Sequence, residues 1–519
     1  MVAASAISAL LLTACGALDE DEEAGQAPTE ETSAPEEPSP PEEPGTGFAE
    51  DPAYAAFYDQ QLDWEDCEND QLCAAVDVPL DYDDPDGESI EIQIISSETA
   101  GEDAPYVLTN PGGPGTSGYD SVASQLRSFY TSDLLDEVNI VGFDPRGVHR
   151  SAPVECLTDE EMDENRQWVS EGDEGLDDAA AIEQAREDAS WLAERCLENT
   201  GEVLGHVDTT SAARDMDVIR AALEQEQLHY LGFSYGTHLG IAYAEAHPDS
   251  VGRFVLDGMM DTSISDHELT LAQARGFESA LQGYAEWCVE QESCPVDGEA
   301  EDVVATVTDL FDDVSESPQE GPDGRLIPVS VLVSGFIQPM YSPDGWPLLN
   351  DALAAALQDD DLYAFQYWAD LAAGREPDGE YEWKSQLAFQ AIMCLDYPVS
   401  EDVESIEAEY EEAVEVSPTF GPYLGHLGIT CAEWPFEPAG EPSEPQIDGP
   451  EDMLFIGTTG DPATPVEWAE DMHEMVAASS LMVYDGEGHL AYRPGNSCVT
   501  DVVDSYLISG ELFDGREQC

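Results

Sequence analysis

Basic residues are almost missing from this chain: 15 lysines and arginines stand against 114 acidic residues, and Lys384 is the single lysine. The resulting formal charge of −99 argues against nucleic acid as a partner, because a phosphate backbone would be repelled. Anionic membrane surfaces are disfavoured for the same reason. A membrane-spanning run is also lacking at the start, where the apolar stretch Val2 to Leu12 is too short to cross a bilayer as a helix. No Cys-x₂-Cys pair with partnering histidines occurs, so no metal site is expected, and no cofactor either. What the chain does not lack is apolar content, at 42%. Periodic apolar segments along most of its length exclude an acidic disordered polymer.

The charge itself reads as that of a halophile's protein, whose surface carboxylates are kept apart by screening in concentrated salt. Residues 1–15 read as a lipoprotein-type signal, because Leu12-Thr13-Ala14-Cys15-Gly16 resembles the lipobox in which Cys15 would be lipidated. Residues 16–50 hold mostly Pro, Glu, Thr and Ser, with little to bury, and are expected to form an acidic Pro-rich disordered tether. The other ten cysteines form an even set, which suits disulfides in an oxidising compartment. Sequence order suggests Cys67–Cys73, Cys156–Cys196, Cys288–Cys294, Cys394–Cys431 and Cys498–Cys519. The expectation is an exported monomer, lipid-anchored on the outer face of the membrane or secreted, touching the membrane through that anchor only.

The remaining chain is organised around His229-Tyr230-Leu231-Gly232-Phe233-Ser234-Tyr235-Gly236-Thr237. A short apolar strand runs into Gly-x-Ser-x-Gly and then into helical spacing at Leu239, Ile241 and Ala242. Strand, sharp turn and helix are the context of a nucleophile elbow, with Ser234 at the apex and the Tyr235 N–H behind it. Taken alone, the pattern also describes a tight βα turn. Before it come a hairpin (Ala74 to Leu80, then Ile90, Ile92 and Ile94) and a strand at Tyr106 to Thr109. That strand enters Asn110-Pro111-Gly112-Gly113-Pro114-Gly115, where Gly112 and Gly113 are the available backbone donors. Another strand, Val138 to Phe143, ends in Asp144-Pro145-Arg146-Gly147, where Arg146 is expected to tie the loop together. Residues 156–204 read as a solvated, acidic helical excursion, and Ala212 to Leu223 as a helix with one buried stripe.

Strand and helix spacing through Gly252 to Gly258 predicts an α/β fold with a mostly parallel doubly wound sheet. The core is expected over 51–261 and 435–519, with a helical cap inserted over 262–434 where the strand rhythm stops. Helices are expected at Leu269 to Trp287, Val303 to Val314, Leu348 to Leu357 and Tyr363 to Leu371, and strands resume at Met453 to Gly457 and Leu481 to Tyr484.

A serine nucleophile needs a base, and an acid to hold the base's tautomer. Beyond the returning strand only His473 and His489 remain, and His489 lies in a glycine-flanked loop after the last expected strand. Asp461 follows the strand at 453–457, and Thr464, Pro465 and Glu467 read as a capping box that would start a helix there. Asp257 and Asp261 are rival acids. The order Ser234, Asp461, His489 is that of α/β-hydrolases.

Together with Phe143 to Gly147, Val255 to Gly258, Cys394-Leu395-Asp396 and Gly460 to Pro465, these motifs cover residues 65–519. In order and spacing the chain resembles the actinobacterial tripeptidyl aminopeptidase family of α/β-hydrolases, and mycobacterial cell-envelope serine hydrolases. The resemblance implies an oxyanion donor at Gly113 beside Tyr235, and an exported serine exopeptidase releasing short peptides from free N-termini of peptide substrates. An envelope carboxylesterase or endopeptidase on the same triad is the alternative, and a non-catalytic binding lipoprotein a more distant one. An exopeptidase must pair a substrate ammonium with a carboxylate, for which Asp396 and Glu382 are the candidates.

Overall fold

The computed structural model describes residues 51–519 apart from 68, 70, 102–103, 168–178, 401, 425–427 and 448–451. The expected signal, Cys15 and the tether to residue 50 lie outside the described residues. Strands β1 (Glu65–Asp66), β2 (Leu72–Pro79) and β3 (Ser89–Ser96) open the fold, with β4 (Tyr106–Asn110), helix α1 (Gly118–Phe129) and β5 (Asn139–Phe143) after them. Helices α2 (Asp159–Arg166), α3 (Ala179–Thr200) and α4 (Thr209–Ala222) lead to β6 (Leu228–Phe233), α5 (Tyr235–Ala246) and β7 (Val251–Asp257). A long helical segment follows. It comprises α6 (Asp266–Val289), α7 (Ala300–Glu316), a two-strand hairpin of β8 (Gln319–Glu320) and β9 (Leu326–Ile327), and α8 (Val329–Ile337). It continues with α9 (Trp346–Asp359), α10 (Tyr363–Ala372), α11 (Ser385–Asp396) and α12 (Val403–Val416). The chain then returns as β10 (Met453–Gly460), α13 (Val466–Met475), β11 (Ser479–Glu487), α14 (Ser497–Ser509) and β12 (Arg516–Gln518).

Ten strands form one sheet in the order β1-β2-β3-β5-β4-β6-β7-β10-β11-β12. The three pairings from β1 to β5 are antiparallel and the six from β5 to β12 are parallel. The central strands are apolar on both faces because both faces are covered by helices. Tyr230 and Phe254 enter one core with α4, α5 and α13, while Leu231 and Val255 enter the opposite core with α1 and α14. The helical segment between β7 and β10 has a core of its own, built on Phe277, Phe311, Phe336, Phe365 and Phe420.

Several expectations change. The segment at 156–204 is more than a solvated excursion: Cys156, Leu157, Met162 and Leu204 are buried against Tyr381, Leu387 and Ile392 of the helical segment. Its charges also reach across, with Asp163 accepting from Arg375 at 2.6 and 2.8 Å and from Tyr381 at 2.8 Å. Helix α4 is buried almost all round, including Asp215, Asp217 and Arg220. Helix α8 escaped the periodicity reading because it is apolar on every side. Strand β12 escaped it because its three residues are polar and exposed. All five cysteine pairs join as sequence order suggested.

Candidate active site

Strand β6 ends at Phe233 and α5 begins at Tyr235, so Ser234 alone makes the turn, with φ 53° and ψ −124°. A non-glycine residue tolerates that conformation only when its neighbours over-determine it. Here the Ser234 N–H donates to the Asp257 carbonyl at 2.9 Å. The Ser234 carbonyl accepts from the Thr237 N–H at 2.8 Å and from its hydroxyl at 2.6 Å. The elbow is thus bonded to the end of β7 on one side and to its own helix on the other.

Above it lies the Gly-Gly-Pro-Gly loop. Gly112 has φ +100°, and a Cβ there would stand 2.6 Å from the Phe233 carbonyl and 2.9 Å from Ser234 Cβ, so only glycine lets the loop close over the serine. The Gly112 N–H is taken by Asn110 Oδ1 at 2.9 Å. That leaves Gly113, whose N–H has no acceptor among the described residues, and the same is true of Tyr235 at the first position of α5.

On the facing side, Asp461 and His489 stand together. His489 Nδ1 lies 2.9 Å from both carboxylate oxygens of Asp461, whose side chain is fully buried. Asp461 also accepts from the Ala463 and Thr464 N–H groups at 2.9 Å, the Thr464 hydroxyl at 3.1 Å and the Leu490 N–H at 3.3 Å. Burial pulls the His489 imidazole down, but the charge and hydrogen bond of Asp461, with Asp257 behind it, outweigh this and set it above the ordinary value. A pair held this way keeps Nδ1 as the bonded nitrogen and leaves Nε2 to act.

Three details correct the sequence reading. Thr464 makes no capping box with Glu467: its hydroxyl and N–H both turn to Asp461, and α13 starts at Val466 with Pro465 at its N-cap. The Thr464 N–H that a capping box would give to Glu467 goes to the Asp461 carboxylate instead. Asp257, a rival acid, instead accepts from the Ala491 and Tyr492 N–H groups at 3.0 and 2.7 Å and so holds the loop that carries His489. Burial pushes its carboxyl up to about 6 against those bonds. Asp261, the other rival, accepts from the N–H and hydroxyl of Ser263.

The two acids expected at a substrate amine have different surroundings. Asp396 accepts from the Thr209 N–H at 2.8 Å and from its hydroxyl at 2.5 Å, which occupies both of its oxygens, and burial pushes its carboxyl up to about 7. It is therefore engaged by Thr209. Glu382 precedes α11 rather than lying on it, and its exposed side chain has no hydrogen bond among the described residues. It stands three residues before Ser385, whose carbonyl packs against Gly115.

Sequence reasoning missed Tyr341. Its carbonyl accepts the His489 N–H at 2.8 Å and its ring lies 5.5 Å from the imidazole. A short 3-10 turn 148 positions away leaves no sequence signal for such a contact. His473, as expected, stays on α13, where Nδ1 meets Ser479 Oγ at 2.8 Å.

A mostly parallel sheet with helices on both faces and a Gly-x-Ser-x-Gly elbow after a central strand define an α/β-hydrolase. Comparison with known proteins agrees. A family profile described as alpha/beta hydrolase fold matches residues 105–310, and one described as TAP-like protein matches 417–519. Serine protease Hip1 of Mycobacterium tuberculosis is 32% identical over 483 residues, covering 89% of this chain and 91% of that protein. Carboxylesterase B of the same species is 33% identical over 453 residues, covering 86% of each. Tripeptidyl aminopeptidase of Streptomyces lividans is 29% identical over 472 residues, covering 88% and 86%. The chain belongs to this family of α/β-fold serine hydrolases.

Proposed function

We propose that the protein is an exported serine exopeptidase that releases short peptides from free N-termini, with Ser234, Asp461 and His489 as its triad. The observation that carries this reading is the His489–Asp461 pair at 2.9 Å, on loops after β10 and β11. Ser234 Oγ has no hydrogen bond to His489 among the described residues. Catalytic hydrogen bonds are often long in the absence of substrate and tighten when it arrives.

Attack by Ser234 Oγ on the scissile carbonyl passes its proton to His489 Nε2, and Asp461 stabilises the imidazolium. The carbonyl oxygen becomes an oxyanion that accepts from the Gly113 and Tyr235 N–H groups. Collapse expels the amine, protonated by His489, and leaves an acyl-enzyme. Water activated by the neutral imidazole then hydrolyses the ester and returns Ser234. Glu382, with its unengaged carboxylate three residues before the Ser385 contact with Gly115, is the acid proposed to meet the substrate ammonium. Five disulfides support export to an oxidising compartment, with Cys15 as the proposed lipid anchor.

A fluorophosphonate should label the wild type and not Ser234→Ala; a labelled mutant would mean another nucleophile. A tripeptide amide with a free amine should be cleaved while its N-acetylated twin is not, and Glu382→Gln should narrow that difference. Equal turnover of the two would eliminate the exopeptidase. It would leave an endopeptidase or an esterase on the same triad, and the similarity to carboxylesterase B supports the esterase as the second reading.

A further inference from the structure

The oxyanion hole proposed above has two walls, one on the Gly-Gly-Pro-Gly loop and one at the start of α5. Both touch a single helix of the inserted segment. At the N-terminal end of α11, the Ser385 carbonyl and the Phe389 N–H pack so closely on Gly115 that a Cβ there would stand 2.6 and 3.0 Å from them. That fixes the loop two residues beyond Gly113. At the other end, Asp396 accepts the Thr209 hydroxyl proton at 2.5 Å. A threonine hydroxyl has one proton, so with Asp396 ionised its contact with the Tyr235 hydroxyl is one in which the phenol donates. Tyr235 is only 3% exposed, and its own N–H is the second donor of the hole. The helix is itself pinned by the Cys394–Cys431 disulfide, two residues before Asp396.

We infer that α11 is a brace that sets the spacing of the two oxyanion donors, with Asp396 and Thr209 acting as positioning residues through the Tyr235 phenol. This rests on the reading of Gly113 and Tyr235 as the oxyanion donors. Nothing in a core-packing role would require the relay Tyr235 O–H to Thr209 O–H to Asp396, because an apolar side chain of similar shape would fill the same space. A relay ending on a carboxylate gives each hydroxyl one direction and one length. It therefore fixes the rotamer of the residue whose backbone does the work.

The test separates the hydroxyl from the volume. Thr209→Val keeps the shape and removes the bond, whereas Thr209→Ser keeps the bond; Tyr235→Phe removes the phenolic hydroxyl alone. Thr209→Val and Tyr235→Phe should each lower kcat by ~10-fold to 100-fold, less than the ~10²–10³ lost when a donor itself is removed. KM should change by less than twofold. A trifluoromethyl ketone, which forms a tetrahedral oxyanion on the serine, should lose affinity in parallel with kcat. Thr209→Ser should recover most of kcat. Equal kcat for the Val and Ser variants would overturn the brace, as would a loss confined to KM or an inhibitor affinity that does not follow kcat. Should Thr209→Val fail to fold, Tyr235→Phe gives the same readouts. Ser234→Ala labelling is run alongside. If that variant still labels, the underlying reading fails, whereas loss of labelling with unaffected Thr209→Val overturns only the brace.

Discussion

At the scale of single residues, the proposed triad turns on what Asp461 does for His489. Converting Asp461 to Asn leaves the shape but offers an N–H where Nδ1–H needs an acceptor, which turns the imidazole to the wrong tautomer. We expect kcat to fall by ~10⁴ with KM little changed. A comparable loss from Asp257→Asn instead would show that the acid lies after β7. The pH dependence follows from the same pair. The base must be neutral to accept the serine proton, and Asp461 and Asp257 together hold the imidazolium more firmly than the ordinary value of ~6.5. The kcat/KM of the wild type should therefore rise with pH through a midpoint above that value and then level off. Removing the carboxylate charge in Asp461→Asn should move the residual midpoint down, since it removes a term that raised it. An unmoved midpoint would mean that another group controls the acid limb.

At the scale of elements, the first hairpin, the loop after β5 and helix α4 are joined by one guanidinium. Arg146 is fully buried and donates to both oxygens of Asp215 at 2.7 Å, and to the carbonyls of Pro79, Leu80 and His206 at 2.9 Å. The sequence reading of Arg146 as a tie for its own loop was too local, because all five of its bonds leave that loop, for β2, the residue after it, His206 and α4. Substituting Met leaves Asp215 buried without its counter-charge, and such losses typically cost ~3–5 kcal/mol. The urea midpoint of Arg146→Met should drop accordingly, and adding Asp215→Leu should recover part of it. No recovery in the double variant would mean that the carbonyl contacts, not the buried charge, account for the loss.

At the scale of the whole molecule, a charge of −99 sets how stability responds to salt. Few arginines are left to answer the surface carboxylates, since Arg146, Arg166, Arg220, Arg325 and Arg375 are all engaged in ion pairs in the interior or between elements. Screening should relieve the repulsion of the surface more than it weakens these sheltered pairs. The thermal midpoint should climb from dilute buffer to molar NaCl, and KCl should act similarly. A midpoint that stays flat or falls would remove the salt-adapted reading.

Local pattern decided much of this protein. Glycine at 232 and 236 around Ser234, apolar runs before each turn and the even cysteines are short-range facts. Such facts survive in a linear text because strands, turns and neighbouring disulfides are made by residues close in sequence. The order of Ser234, Asp461 and His489 was legible for the same reason, as each follows its own strand. What only the tertiary structure decided is which partner each polar group finds. Asp396 reads as a free acid until Thr209, 187 positions earlier, takes both its oxygens. Tyr341 becomes a neighbour of His489 only because the helical segment closes over the sheet. Hydrogen bonds are short and directional, so their assignment depends on distances that spacing along the chain does not contain.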